Sequence, residues 1–509
     1  MKRPTTILLA VTALLWLIQL FLFRGFVIDD SFITMRYAQH LAEGHGIVWN
    51  VGEEPVEGFT SFLWVVVLAL PHVIAPGAVE AIARGGGLLA VTGLGVWLFR
   101  VLAARSGTFA AAVAVLPLLA GTPFAINSVS GMETGLAILL AGVGHVFAVR
   151  GILERDARAL TAYQVIALLA CLNRPDYALC YIVTIAGGYL AARRVPDRAE
   201  WLRGVLFFAL PGLVYFVIRW QYFGYLLPNP FYVKSGGGGM KSIIYVGSFL
   251  VAFAAPALAA LALGLRDPRT RAVSLMTAIA FLVPVLSYLR VNPLMGVYWR
   301  FLIPYYAVVP LAVAAALQHR TGWLLRGLVA GQLALSLSMF PLAAQYAERA
   351  RGFTGVLRTL GTMLHQTDDT GRYLAAMNDV GIVPYLSRWP VVDTVGLCDD
   401  AIAHDESTVQ ERLAETAPDL VLLHDPRARL ETYDLTQIGA VYEEVARIPY
   451  IRGLAENDIV LWVREDSPVR APLLEQFEAT EWEPGLWSAS PVQTVYDAIR
   501  SVYHRKPAE

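Results

Sequence analysis

Residues 27–64 read VIDDSFITMRYAQHLAEGHGIVWNVGEEPVEGFTSFLW, and the adjacent acids Asp29 and Asp30 within them decide how the chain is organised. They follow directly on the first long apolar run, where a helix rising through a bilayer would reach the far water interface. Charged side chains so close to lipid are costly and are kept where they serve a function. Two neighbouring carboxylates also resist double ionisation, so one of the pair is expected to hold its proton to a raised pH. The competing reading is helix capping. Asp30 or Ser31 precedes a short stretch with Ile33, Tyr37 and Leu41 on one face and Gly44 as its stop. Capping by one acid leaves the other free for chemistry.

The 509-residue chain is 56% hydrophobic and only 16% charged, and its mean hydropathy is +0.53. That is too apolar for a soluble enzyme and implies a polytopic α-helical membrane protein. The net charge of -1 hides a division: arginines dominate the short loops of the first two-thirds, whereas acids concentrate after about residue 344. Charge therefore reports topology and gives no sign of a nucleic-acid partner. Cys171, Cys180 and Cys398 lack metal-ligand spacing, so neither a disulfide framework nor a zinc site is expected. The N-terminal MKRPTTILLAVTALLWLIQLFLF lacks a small-residue cleavage site. Its apolar run of about 19 residues reaches about 28 Å, enough for an uncleaved first span.

Lys2 and Arg3 place the N-terminus in the cytoplasm by the positive-inside rule, which puts Asp29 and Asp30 outside. The next apolar run, residues 62–73, is short and interrupted by Pro71 and His72, which suits a helix lying in the interface. Were it a span, Arg100 and Arg105 would fall outside and every later loop would invert. Read as in-plane, it leaves further spans at 80–100, 107–127, 134–150, 159–172, 177–192, 204–222, 242–264, 272–289, 301–317 and 323–343. With the first helix these make about eleven. Arginines 100, 105, 150, 155, 158, 193, 194, 198, 203, 266, 269, 271, 320 and 326 then share the cytoplasmic side of an inner membrane. Two domains follow: 1–343 within the membrane and 344–509 as an extracytoplasmic α/β domain.

What remains outside is Glu133 in SVSGMETG, Arg174 and Asp176 in NRPDY, Lys234 in LLPNPFYVKSGGGGMK, and Arg290 and Arg300 in YLRVNPLMGVYWRF. Cations placed against the topological bias call for an anionic ligand at the membrane surface, or else for simple snorkelling. Gly236 to Gly239 mark a lid or merely slack between spans. In the tail, MNDVGIVPYLSRWPVVDTVGL reads as turn, short helix and strand, and APDLVLLHD and NDIVLWVRED read as strands. Asp379, Asp393 and His424 are its polar candidates, with turn-building as the plainer reading. Trp482 and Trp487 suggest contact with the domain or the bilayer.

A carboxylate base, several cations and an oily frame fit transfer of a sugar from a lipid-linked phosphate. The same acids would also be compatible with a transporter or flippase for an anionic or lipid-linked solute, or with a non-catalytic envelope assembly factor. DDSFITMRYAQHLAEGHGIVWNVGEEPVEGFTSFLW resembles the first outer loop of the GT-C membrane glycosyltransferases, specifically the terminal β-(1→2) arabinofuranosyltransferase group. SGMETG, NRPDY, LPNPFYVKSG, YWRFLIP and NDVGIVPY with VVDTVGL are similar to that group's other recurrent segments, in the same order.

The resemblance implies an inverting enzyme with juxtamembrane helices in the first outer loop. Its donor would be a polyprenyl-phosphate sugar, arabinofuranose among the candidates, and its acceptor a cell-envelope glycan or lipid. An Asp of that loop would act as base. Asp29 is expected ahead of Asp30, which capping could occupy. Arg174, Lys234 and Arg300 are expected at the donor phosphate, and Glu57, Glu133, Asp176, Asn229 and Arg290 near the acceptor or substrate. No cofactor is demanded. Mg or Mn could bridge phosphate and carboxylate, although no ligand spacing calls for either.

Overall fold

A computed structural model of the chain describes residues 2–234, 238–293, 295–318, 323–424, 435, 438–449 and 458–480. Gly236, Gly237, Arg320, Trp482 and Trp487, all named above, lie outside the described residues.

Every stretch expected to span is helical, but not all are long. Among the described residues six helices are long and apolar enough to cross a membrane, or up to nine if each bent pair counts as one span. The bent pairs are Thr108–Ala120 with Thr122–Ser128 (53°), Gly239–Ala252 with Ala255–Arg266 (68°), and Val297–Tyr306 with Val309–Leu317 (60°). In each pair a proline (Pro123, Pro256 or Pro310) sits in the first turn of the helix that follows the bend. Proline is tolerated there because that turn needs no N–H, but it cannot continue the preceding ladder. Ala157–Asn173 and Tyr177–Ala192 have 17 and 16 residues and fall below the spanning length. The expected count of eleven thus becomes six to nine candidate spans plus these two shorter apolar helices.

Phe62–Ile74 is a separate 13-residue helix, about 20 Å long. It buries Trp64, Val65 and Leu68 and exposes Val66, Val67, Leu70, Val73 and Ile74. One apolar face thus packs inward and another is exposed. The long helix Trp323–Thr367 runs unbroken through the 343/344 boundary and delivers the chain into the C-terminal domain.

That domain is α/β, with two strands more than the sequence reading named. The strands β1 (Ala375–Met377), β2 (Val391–Asp393), β3 (Leu420–His424), β4 (Tyr442–Pro449) and β5 (Asp458–Arg464) form one sheet in the order β2-β1-β3-β5-β4. The pairs β1–β2 and β1–β3 are parallel, and β5 runs antiparallel to both β3 and β4. Three residues are too few to show alternation, which hid β1. Charges at Glu443, Glu444 and Arg447 obscured β4.

The first outer loop and this domain interlock. Arg36, 2% exposed, donates to the carbonyls of Trp49 (3.0 Å), Trp389 (2.9 Å) and Pro384 and to Asn50 Oδ1 (3.2 Å), and stacks over the Trp49 ring. Trp49 Nε1 donates to Val391 O at 3.0 Å, and Asn50 Oδ1 accepts from Val391 N at 3.0 Å. Arg36 therefore has its donors satisfied from both sides of the junction, which makes its burial affordable only while the domain is docked.

Candidate active site

The helix Asp30–Ala42 begins at the acid pair, and no side chain caps it. Asp30 does not serve as the cap that the sequence suggested, and Ser31 Oγ donates to Ile28 O at 2.7 Å. Asp29 does cap a helix, but on the C-terminal domain. Its carboxylate accepts from Gly381 N at 3.0 Å and Ile382 N at 2.8 Å, at the start of Ile382–Ser387. Asp29 is 7% exposed. Burial first, then the nearby charges of Asp379 and Asp30, raise its pKa to about 8 against the two N–H bonds. Asp30 is partly exposed and makes no side-chain hydrogen bond or ion pair among the described residues. Of the two acids, one is occupied and the other is free.

The SGMETG segment supports this turn from below. Ile28 N donates to Ser130 O at 3.1 Å, and Gly131, at φ +82°, leaves only 2.9 Å between an added Cβ and Ser31 Oγ. Two residues on, Glu133 lies 3.6 Å from Arg174, so the acid-bearing turn and the cations share one scaffold.

Arg174 also pairs with Asp176 at 2.8 Å and donates to Tyr288 Oη at 3.0 Å. Asp176 accepts further hydrogen bonds from Tyr288 Oη at 2.6 Å and from Tyr305 Oη. Burial opposes its ionisation, but Arg174 and the two phenols hold its pKa below the ordinary carboxylate value. Asp176 is thus a rigid counter-charge for Arg174. Arg300 is 3% exposed, and its Nε and Nη1 have no hydrogen-bond partner among the described residues. It shares the Phe301 ring with Arg174, the guanidinium centres standing 4.8 and 5.4 Å from the centroid. Lys234, half-buried, is within electrostatic reach of Asp30, Arg300, Glu133 and Arg174; burial is the largest influence on it and lowers its pKa. Five of the expected residues, Asp30, Glu133, Arg174, Lys234 and Arg300, therefore come together, with Asp176 behind them.

Three others are placed differently. Glu57 is buried in an ion pair with Arg219, whose Nε donates to Oε1 at 2.9 Å. Burial raises its pKa to about 6, against the pull of Arg219. Asn229 is 1% exposed, and both ends of its amide are engaged, with Asp400 at 2.7 Å and His404 Nε2 at 3.2 Å. It fastens the Lys234-bearing helix Asn229–Lys234 to the C-terminal domain. Arg290 is exposed, and its backbone packs against Gly238.

In the domain, Asp379 pairs with His424 at 3.0 Å next to Asp29. Asp393 accepts from Val395 N and Cys398 N, both at 2.8 Å, the turn-building role expected of it. Among the described residues no three His, Cys, Asp or Glu side chains gather as metal donors. Sequence reasoning missed Arg36, Trp49 and Asn50. Their signal was a buried-type tryptophan and an arginine within a loop otherwise read for its acids.

The raised pKa of Asp29 makes a prediction. A carboxyl with a raised folded-state pKa binds more protons folded than unfolded, so its contribution is full at low pH and is lost as pH rises through about 8. The melting temperature is expected to fall between about pH 4 and pH 8 and to level off above that. The fall should be smaller in Asp379→Asn, which removes the neighbouring charge; equal falls in both proteins would contradict the assignment.

Residues 344–467 match a family model described as a domain of unknown function, DUF8728. Over 247 residues, 44% of the chain, the sequence is 28% identical to the terminal beta-(1->2)-arabinofuranosyltransferase of Mycobacterium tuberculosis. Over 255 residues, 45% of the chain, it is 26% identical to the protein of the same name from Corynebacterium glutamicum. The matches cover 38% and 36% of those relatives, so the chain spans well under half of their length. In fold, it is similar to ArnT from Cupriavidus metallidurans bound to undecaprenyl phosphate, with a TM-score of 0.62 at 13% identity over 91% of this chain and 98% of that one. The apo form of the same protein gives 0.59 at 14% identity over the same shares. The chain is thus a multi-pass membrane protein whose fold is similar to that of ArnT and whose sequence is similar, over part of its length, to the terminal β-(1→2)-arabinofuranosyltransferases.

Proposed function

We propose that the chain is an inverting glycosyltransferase that moves a sugar from a polyprenyl-phosphate donor to a cell-envelope glycan or lipid. In this reading residues 1–343 form an eleven-span catalytic domain, counting the two short helices, and the acids, the cations and the domain 344–509 face the outside. Arabinofuranose is the first sugar to test, since both relatives carry it in their names.

The observation that carries the reading is Arg300, buried with two donor nitrogens unpartnered among the described residues, beside Arg174 and near Lys234 and Asp30. Burying a guanidinium without a partner costs several kcal/mol, and an anionic ligand offsets that cost. Asp30 takes the proton of the acceptor hydroxyl as its oxygen attacks the anomeric carbon from the face opposite the phosphate. The sugar–phosphate C–O bond breaks, and the polyprenyl phosphate departs with the bonding electrons. Lys234, Arg300 and Arg174 stabilise the charge that builds on it. Asp29 keeps the loop docked and does not take the proton.

Titration of the purified protein with undecaprenyl phosphate tests this. Arg300→Gln is expected to weaken binding by roughly 10- to 100-fold, the scale of a lost charge-assisted contact. No binding by the unmodified chain, or equal binding by the variant, would overturn the donor assignment. Solute movement across sealed vesicles without a covalent product would favour a transporter instead.

A further inference from the structure

Near the acid-bearing helix four arginines gather: Arg24 just after Lys2–Leu22, Arg84 in the second turn of Val79–Ser106, and Arg351 and Arg358 along Trp323–Thr367. Arg84 and Arg358 share Glu80, at 3.6 and 2.8 Å. Arg84 also donates to the backbone carbonyl of Arg24. Arg351 lies across Gly25, where an added Cβ would come within 2.5 Å of its Cδ. The Arg24 and Arg351 guanidiniums donate to carbonyls of their own segments, and that of Arg24 also stands over the Phe21 ring; neither has a carboxylate partner among the described residues. Four cations thus meet one bonded acid. Phe21 and Ile82, 64% and 43% exposed, flank them with apolar surface.

Snorkelling accounts for a single arginine at a helix end. It does not account for four drawn together from three helices, two of them held inward on one glutamate and so restrained from reaching apart into water. A basic pocket between spans with an apolar skirt is the chemistry that recognises a lipid phosphate. We propose that Arg24, Arg84, Arg351 and Arg358 form a binding site for the headgroup of an anionic glycerophospholipid, separate from the Arg300 site and independent of the activity proposed above. The headgroup would lie against the acid-bearing helix, because the Arg358 guanidinium stands 5.3 Å over the Phe32 ring.

The test is native mass spectrometry of the full chain in detergent, titrated separately with dioleoyl phosphatidylglycerol, dioleoyl phosphatidylcholine and inorganic phosphate. Phosphatidylglycerol is expected to be retained in preference to phosphatidylcholine. At roughly fivefold per arginine, Arg24→Gln with Arg351→Gln should weaken its retention about 25-fold at an unchanged melting temperature, and Arg300→Gln should leave it unaltered. If the double variant fails to fold, Arg351→Gln alone, exposed on its helix, carries the test at about fivefold. Equal retention of both lipids, no loss in the arginine variants, loss confined to Arg300→Gln, or release of the lipid by millimolar inorganic phosphate would each overturn the site.

Discussion

Asp30→Asn is expected to lower glycosyl transfer by about 10²- to 10⁴-fold, the range lost with a general base, while the protein melts as before and still binds undecaprenyl phosphate. The amide is isosteric and Asp30 has no bonded partner to lose among the described residues, so the fold should be indifferent to it. Donor binding should be unchanged or somewhat tighter, because Asp30 stands near Lys234 and its charge opposes an incoming phosphate. The loss therefore belongs in kcat and not in KM. Asp29→Asn should behave in the opposite way. Its new amide nitrogen would face the N–H groups of Gly381 and Ile382, so one donor meets another. Its melting temperature should drop, and activity should fall only as far as docking loosens. Full transfer by Asp30→Asn would refute the base assignment, whatever Asp29→Asn does.

The order in which the two acids were expected to serve shows what a sequence can carry. The DD pair was conspicuous beside the first long apolar run, and the arginine distribution together with hydropathy gave the helices, the short one at 62–74 among them. Local patterning also gave the NDVGIVPY turn, its helix and three strands of the tail. The choice between Asp29 and Asp30 was not local. It depends on two backbone N–H groups about 350 residues away, and no periodicity near residue 29 reports them. Glu57 and Asn229 have partners that are hidden for the same reason. Each looks like a free polar group in its own segment, and each is taken by a distant partner, Arg219 or the Asp400–His404 pair. The cations differ in this respect: Arg174 and Arg300, singled out from separate segments, share one aromatic ring.

Gly381→Ala is expected to undock the C-terminal domain from the acid-bearing loop. An added Cβ would sit 2.0 Å from the Asp29 carbonyl oxygen and 2.6 Å from its Cγ, so either the domain or the loop must move. The backbone of Gly381 is at φ -92°, outside the left-handed region that favours glycine, and the expected effect rests on the clash. Displacement would strip the buried Asp29 carboxyl of its two N–H donors and strain the bonds of Arg36 to Pro384 and Trp389. Buried polar groups left unpaired cost about 1–3 kcal/mol each, and overpacking adds a similar amount. The combined loss should be roughly 3–6 kcal/mol, beyond the ordinary range for one substitution. Amide exchange should rise at Gly381, Ile382 and Val391 before it rises in the membrane helices. Pairing the change with Asp29→Ala separates clash from charge: the closest atom belongs to the Asp29 backbone, so trimming that side chain should not restore docking. Recovery in the double variant would mean that the carboxyl, and not the close approach of the two chains, sets the fit.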